Sequence, residues 1–312
     1  MTKKISIITP CYNEEDALNK CTETIKNLFN NELKEYDYEH IICDNNSNDR
    51  TVNILRELSL NNKKIKVILN AKNYGSVKST FNGIKNSSGD AVLLFYPVDM
   101  QDPSEMIPEL VEKWNEGADF VVGCRKEREE FFLMKSVRNL FYILLRKFSK
   151  NNIPLNVSDF QLVDRKIINK MISIKDNFPF IRTLAFEFSD NYKSINYKWK
   201  KRKIGKSKEF IKDYISSAMK GLISASDAPF RFILYTGMFV SIFSIIYGFY
   251  SFFHNLLFQN DLEKGMPTLL ISILVFSGLQ LLVLGFMGEY ISSIHNQLKK
   301  DTEVNVKEKI NF

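Results

Sequence analysis

The residues of this chain best suited to chemistry fall in three short polar strings, each directly after an apolar run: Tyr12, Asn13 and Glu14; Asp44, Asn45, Asn46 and Asp49; Asp99, Gln101 and Asp102. One acidic loop of this kind is ordinary solvation. Three of them at strand ends of one sheet would converge on a single edge, the edge at which open α/β sheets bind ligands. Such a site accepts hydrogen bonds, and the oxygens of Asp99 and Gln101 suit Mg²⁺ or Mn²⁺, the ions that commonly bridge diphosphates. Neither G-x-G-x-x-G nor G-x-x-x-x-G-K-[ST] occurs, so the dinucleotide and P-loop solutions to phosphate binding are absent. Metal and basic side chains must then do that work. Seven of the eleven residues from Lys198 to Lys208 are Lys or Arg, Arg202 and Lys208 among them. The four cysteines form no C-x-x-C pair and the three histidines are scattered, which argues against a disulfide framework, a zinc site or histidine chemistry.

The elements that must position these residues alternate. Ile5 to Thr9 reads as a strand and Glu14 to Phe29 as a helix; His40 to Cys43 is the second strand and Thr51 to Leu60 the second helix. Lys64 to Leu69, Ala91 to Tyr96 and Phe120 to Gly123 continue as strands, with helical spacing over Val77 to Asn86 and Met106 to Trp114. That order predicts a mostly parallel sheet with helices on both faces. With 312 residues, 45% hydrophobic and 25% charged, the composition is that of a globular chain and excludes disordered and collagen-like classes. Residues 232–253 and 268–288 nevertheless contain no Asp, Glu, Lys or Arg. Each exceeds the ~20 residues a helix needs to cross a bilayer, and two membrane spans are expected. Lysines flank the pair on both outer sides, which by the positive-inside rule places both termini in the cytoplasm of a multi-pass inner-membrane protein. The net charge of +7 is concentrated before the first span, where anionic headgroups or a phosphorylated substrate are the natural partners. No nucleic-acid-reading motif accompanies it. Residues 208–225 carry Ile211, Ile215, Met219 and Leu222 at helical spacing among lysines, the pattern of a helix lying at headgroup level.

These strings resemble those of family 2 glycosyltransferases of the GT-A fold, in particular the polyprenyl-phosphate group that includes dolichol-phosphate mannose synthase and bacterial undecaprenyl-phosphate glucosyltransferases. Pro10-Cys-Tyr-Asn-Glu14 is similar to P-x-Y-N-E, and Asp44-Asn-Asn-Ser-Asn-Asp49 to D-D-G-S-T-D. Asp99-Met-Gln-Asp-Pro103 is similar to the end of D-A-D-L-Q-D-P, and Gly123-Cys-Arg125 to G-x-R. Ser158 to Arg165 resembles G-D-F-R-L-x-D-R, and Arg202 with Gly205-Lys-Ser-Lys208 resembles R-x-x-G-x-S-K. Two departures stand out: Pro97 replaces the first aspartate of D-A-D, and Asn45 and Asn46 replace an acidic residue and a glycine.

The resemblance implies an inverting enzyme that moves a hexose from a nucleotide sugar, UDP-linked in preference to GDP-linked, to undecaprenyl phosphate for cell-envelope glycans. It implies nucleotide contacts from Pro10, Tyr12, Glu14, Asp44, Asn46 and Asp99, and a metal on Asp99 and Gln101. It further implies a GT-A domain over residues 1–208, an interfacial region over 209–230, two membrane helices within 231–291 and a cytoplasmic tail over 292–312; a homo-oligomer is compatible with this organisation. Arg125, Arg202 and Lys208 are the candidates for matching acceptor and diphosphate charge. Asp159 is either an acceptor-orienting residue or the partner of Arg165. A lipid monophosphate is already largely dianionic at neutral pH, its second pKa lying near 6, so it needs no general base. The rival readings are a catalytically impaired sugar-nucleotide-binding protein, which Pro97 keeps open, and a glycosyltransferase acting on a different glycan or lipid acceptor.

Overall fold

The computed structural model describes residues 2–127, 153–154, 156–174, 180–199, 266–298 and 304–312, with isolated helical positions between 235 and 250. The chain forms two compact units, Met1–Ala225 with Lys300–Phe312, and Ser226–Lys299.

The first unit is built on one eight-stranded sheet. In chain order its elements are β1 (Lys4–Cys11), α1 (Leu18–Asn31), β2 (Asp37–Asp44), α2 (Thr51–Asn61), β3 (Ile65–Asn70), α3 (Ser76–Lys85), β4 (Ala91–Leu93), α4 (Ile107–Asn115) and β5 (Phe120–Glu127). After these come β6 (Val157–Asp164), α5 (Arg165–Ser173), the single turn α6 (Ile181–Leu184), β7 (Tyr192–Lys198) and, at the C-terminus, β8 (Val306–Ile310). The spatial order is β7-β5-β6-β4-β1-β2-β3-β8. Strands β4, β1, β2 and β3 run parallel, as the alternation of strands and helices requires. Strand β6 lies antiparallel between β4 and β5, and β8 adds an antiparallel edge beside β3. Side-chain alternation sends Ile5, Ile7, Ile42, Ala91 and Leu93 to one face, where they pack with α1 and α4. Ile8, Ile41, Cys43, Val92 and Leu94 go to the other, against α3 and α5. Helix α3 lies so close to the sheet that a Cβ on Gly83 would stand 2.6 Å from Ile8 and 2.9 Å from the Cys43 sulfur.

Strand β4 is shorter than expected. Beyond Leu93 the chain slips between its neighbours, Leu94 N–H donating to Gln161 O at 2.9 Å and Tyr96 N–H to Ile8 O at 2.8 Å. It then reaches Pro97, which has no N–H to offer a ladder.

In the second unit α7 (Met266–Leu298) is a 33-residue helix. Here the expected membrane placement is corrected. Among the described residues no helix is long and apolar enough to cross a membrane. A crossing helix needs about 20 consecutive predominantly apolar residues, and the described residues of α7 do not supply such a run. The expected span over 232–253, the region 209–230, the basic run from residue 200 to 208 and with it Arg202 and Lys208 lie wholly or largely outside the described residues. The two C-terminal spans and the multi-pass inner-membrane localisation are therefore not carried forward.

One buried charge ties the strand starts together, at the end of the sheet opposite the polar loops. Glu39 on β2 is 1% exposed and accepts from Ser6 Oγ at 2.6 Å, Ser88 N–H at 2.6 Å and Ser88 Oγ at 2.9 Å, with Lys66 Nζ at 2.7 Å and Lys4 Nζ at 3.1 Å. Burial would raise its pKa, but Lys66, Ser6, Ser88 and Lys4 outweigh that and hold it down at about 2, against an ordinary 4.5. Because the folded value is depressed, its contribution of about 3 kcal/mol is complete above pH ~4.5 and is lost as pH falls toward 2. Glu39→Gln should lower the unfolding free energy of the full chain by roughly that amount at pH 7. The gap between variant and wild type should narrow as the pH falls from about 4.5, measured by urea titration followed through tryptophan fluorescence. A gap that stays constant from pH 7 to pH 2.5 would contradict this role.

Candidate active site at the strand ends

The first two polar strings are level with each other because β1 and β2 are in register, Pro10 opposite Cys43 and Cys11 opposite Asp44. Beyond that point the two loops are laced together. Asn45 N–H donates to Cys11 O at 2.9 Å, Asn13 N–H to Ser47 Oγ at 2.8 Å, Asn48 N–H to Asn13 Oδ1 at 2.8 Å, and Glu14 N–H to Thr51 Oγ1 at 2.9 Å. Asp44 is buried and shapes its own turn, accepting from Ser47 N–H at 3.0 Å and Ser47 Oγ at 2.5 Å. Asn13 and Asn46 adopt φ of 52° and 62°, the left-handed region that Asn tolerates better than other non-glycine residues. Pro10, Tyr12 and Glu14 are half-buried at this edge and Asn46 is exposed. Burial, reinforced by Asp44, pushes the Cys11 thiol well above its ordinary range, so Cys11 is a packing residue and not a nucleophile.

The third string begins with a tight turn in which Met100 N–H donates to Pro97 O at 3.0 Å and Met100 takes φ 53°. Asp99 Oδ1 accepts weakly from Gln101 N–H at 3.4 Å, and both residues are half-buried at the sheet edge. A carboxylate and an amide oxygen two residues apart fit a divalent cation that takes few protein ligands and completes its shell with water and substrate phosphates. Among the described residues no three His, Cys, Asp or Glu side chains come together. A cation shared with a diphosphate is the fit that Asp99 and Gln101 allow.

The same loop is pinned by Asp102, which is fully buried. Arg125 Nη2 lies 3.1 Å from both of its oxygens, and the Tyr197 hydroxyl donates to it at 2.5 Å. Arg125 Nε donates to the Tyr197 oxygen at 3.0 Å, and Ser158 Oγ lies 3.0 Å from that oxygen while donating to Gly123 O at 2.9 Å. Burial alone would depress the Arg125 pKa, but Asp102 and Tyr197 outweigh it and raise the value. Burial, with Asp102 added, raises the Tyr197 phenol. Gly123 is required here because a Cβ would stand 2.7 Å from the Tyr197 ring.

Arg125, the candidate for acceptor or diphosphate charge, is 12% exposed with its charge matched by Asp102. Asp159 pairs neither with Arg165 nor with nothing: Arg182 grips it at 3.2 and 2.6 Å, both side chains about a quarter exposed (24% and 30%). Arg165 instead donates to Gly89 O at 2.7 Å and Ser87 Oγ at 3.1 Å. Arg182 and Tyr197 are site residues that sequence reading misses, since neither falls in a polar string. Asp102 was visible as a strand-end acid, but nothing in the sequence marked it as buried.

The chain matches the model for glycosyl transferase family 2 over residues 6–172, and it belongs to that family. It is 32% identical over 305 residues to the SfII prophage-derived bactoprenol glucosyl transferase of Shigella flexneri, covering 97% of both chains. It is 33% identical over 297 residues to the bactoprenol glucosyl transferase of Shigella phage SfV, covering 95% of each. An uncharacterized glycosyltransferase of Bacillus subtilis, YkcC, is 32% identical over 295 residues, 94% of this chain and 90% of that one. The α/β architecture with its mostly parallel sheet is the GT-A fold.

Removing one partner of a buried ion pair strands the other charge and costs about 3–5 kcal/mol. Asp102→Ala should therefore destabilise the full chain by about that much, whereas Asp99→Ala at the loop tip should stay within ~0.5 kcal/mol of wild type. Equal losses at the two positions in denaturant unfolding would contradict the division of labour between them.

Proposed function

We propose that this family 2 glycosyltransferase moves a hexose from a nucleotide sugar, UDP-linked in preference to GDP-linked, to a polyprenyl phosphate. The observation that supports the reading is that Pro10–Glu14 and Asp44–Asp49 stand level at the ends of the paired strands β1 and β2, with Asp99–Gln101 in the loop beyond β4, the other neighbour of β1. Relatives that carry a bactoprenol glucosyl transferase name match it over almost the whole chain.

In this reading the laced loops around Tyr12, Glu14, Asp44 and Asn46 hold base and ribose. Asp99 and Gln101 would hold a divalent cation, Mg²⁺ or Mn²⁺, which would supply positive charge for the departing nucleotide diphosphate. The lipid phosphate attacks the anomeric carbon from the face opposite the diphosphate, so the configuration inverts. Its phosphate oxygen is already ionised, and no side chain has to remove a proton. What the protein must supply is cationic charge between two anions. Arg125 contributes by holding the Asp102 end of the loop. Arg182, gripped by Asp159, and Arg202 and Lys208 from the basic run are the cations assigned to the acceptor side. The hydrogen-bonded loops fix the donor before the acceptor arrives, which lowers the entropic cost of bringing the two together.

Three outcomes follow. Asp99→Ala should abolish transfer without unfolding the chain, and excess EDTA should do the same to wild type; full activity in EDTA would remove the metal from the account. Polyprenyl phosphate should be glycosylated and polyprenol should not, read by thin-layer separation of the lipid products; equal rates on the alcohol would demand a general base. Arg202→Gln and Lys208→Gln should each lower turnover at saturating substrates by roughly a hundred- to a thousandfold, the usual effect of losing one transition-state charge contact. Lys198→Gln and Lys200→Gln should stay near wild type, and equal losses at all four would reduce the run to a diffuse field.

A further inference from the structure

The C-terminal strand does more than cover an edge. Asn305, just before β8, reaches past the end of β3: its carbonyl accepts from Ala71 N–H at 2.9 Å and its N–H donates to the Tyr74 hydroxyl at 3.1 Å. Both contacts fall on the loop that joins β3 to α3. The pairing of β3 with β8 shifts register between Leu69 and Asn70, which sets Asn70 opposite Val306. The strand is held on its outer side as well, by Arg56 donating to both Glu308 oxygens at 2.9 and 2.5 Å, and by Asn311 Nδ2 donating to Ser59 O and Ile65 O.

A second line of contacts starts from β8 and ends in the Asp44 turn. Lys309 Nζ donates to Asn86 Oδ1 at 2.6 Å, Asn86 Nδ2 to Asn82 Oδ1 at 3.2 Å, Asn82 Nδ2 to Asn70 Oδ1 at 3.2 Å, and Asn70 Nδ2 to Asn45 Oδ1 at 3.1 Å. Asn45 Nδ2 then faces Gly75 O at 3.4 Å. Asn45, Asn70 and Asn82 are buried. Every amide in this line donates in the same direction, from the Lys309 ammonium toward the turn, so each bond polarises the next. An amide that rotated would break two bonds in a buried setting, where unmade hydrogen bonds are costly.

Resting on the reading that the ends of β1 to β3 hold the nucleotide, we propose that β8 is a positioning element of the donor pocket. It sets the 71–75 loop through Asn305 and the Asp44–Asn45–Asn46 turn through the Lys309–Asn86–Asn82–Asn70–Asn45 line. None of the β8 residues touches the reacting atoms; they act through Tyr74 and Asn45. The consequence is that the last residues of the chain control affinity for the nucleotide and leave the acceptor side alone.

The test compares full-length wild type with Lys309→Met, Lys309→Arg, Tyr74→Phe and, as a distant surface control, Lys113→Ala. UDP and GDP binding are measured by calorimetry, acceptor KM by turnover, and amide hydrogen exchange over residues 44–48 and 71–75 by mass spectrometry. Lys309→Met and Tyr74→Phe should each weaken binding of the preferred nucleotide about three- to tenfold, the worth of one hydrogen bond. Exchange should quicken at residues 44–48 in Lys309→Met and at 71–75 in Tyr74→Phe, with acceptor KM and the unfolding midpoint unchanged. Lys309→Arg should restore most of the affinity, and Lys113→Ala should match wild type. Unchanged nucleotide affinity in both variants, or a loss that tracks a drop in the unfolding midpoint, overturns the positioning role. Wild type that binds neither nucleotide overturns the functional reading on which that role rests, and it does so before any variant is compared.

Discussion

A carboxylate with no exposed surface cannot remain charged without partners, and Asp102 has two, the Arg125 guanidinium and the Tyr197 hydroxyl. Losing either partner would strand a charge in a medium of low dielectric, so the three move as one. They belong to four different parts of the sheet edge: the loop after β4, strand β5, strand β7 and, through Ser158, strand β6. The loop that carries Asp99 and Gln101 is therefore not free to wander. Its far end is bolted to the sheet three residues after Asp99, and its near end is closed by the turn from Pro97 to Met100. What this fixes is the position of Asp99 and Gln101 relative to the sheet.

On the other side of the site the same problem is solved with neutral groups. The Asp44 turn is held by backbone and hydroxyl donors, and behind it a line of buried asparagines takes the place of an ion pair. Amides satisfy one another at no charge cost, at the price of needing a fixed orientation. That orientation comes from Lys309, on a strand that enters the sheet only after the whole second unit has been traversed in sequence. The two halves of the site thus differ in kind. The loop that carries Asp99 and Gln101 is locked by a buried charge within residues 97–197, and the Asp44 turn by a polar line that starts from Lys309 on β8.

Much of this was legible in the sequence, because period-2 and period-3.6 patterns placed the first five strands and four helices, and strand-end logic placed Asp44, Asp99 and Gln101 together. The misses have specific causes. Strand β8, Val-Lys-Glu-Lys-Ile, alternates, but it is short and charged and reads as a tail; only its partner β3 makes it a strand. Strand β6 was seen as a motif and not as an element, since its antiparallel place between β4 and β5 is a tertiary fact. The pairing of Arg125 with Asp102 was not legible, because a sequence shows a charge but not the buried carboxylate opposite it. For Asp159 the sequence offered an acceptor-orienting role or a pair with Arg165, and the turn at Ile181–Leu184 brings Arg182 to it from further along the chain. Asn46 stands where the resembled turn has glycine, and its φ of 62° lies in the left-handed region, which no sequence pattern displays.

The central claim is that the assembled edge transfers a hexose between a nucleotide and a lipid phosphate. Its most direct measurement is mass spectrometry of the lipid fraction after the purified chain is incubated with undecaprenyl phosphate, Mg²⁺ or Mn²⁺, and each of a panel of UDP- and GDP-hexoses. The account predicts undecaprenyl phosphate carrying one added hexose with at least one UDP-linked donor, and no product when the metal is withheld. Unmodified lipid with every donor, while the same chain binds UDP or GDP, would contradict it and leave a sugar-nucleotide-binding protein in its place.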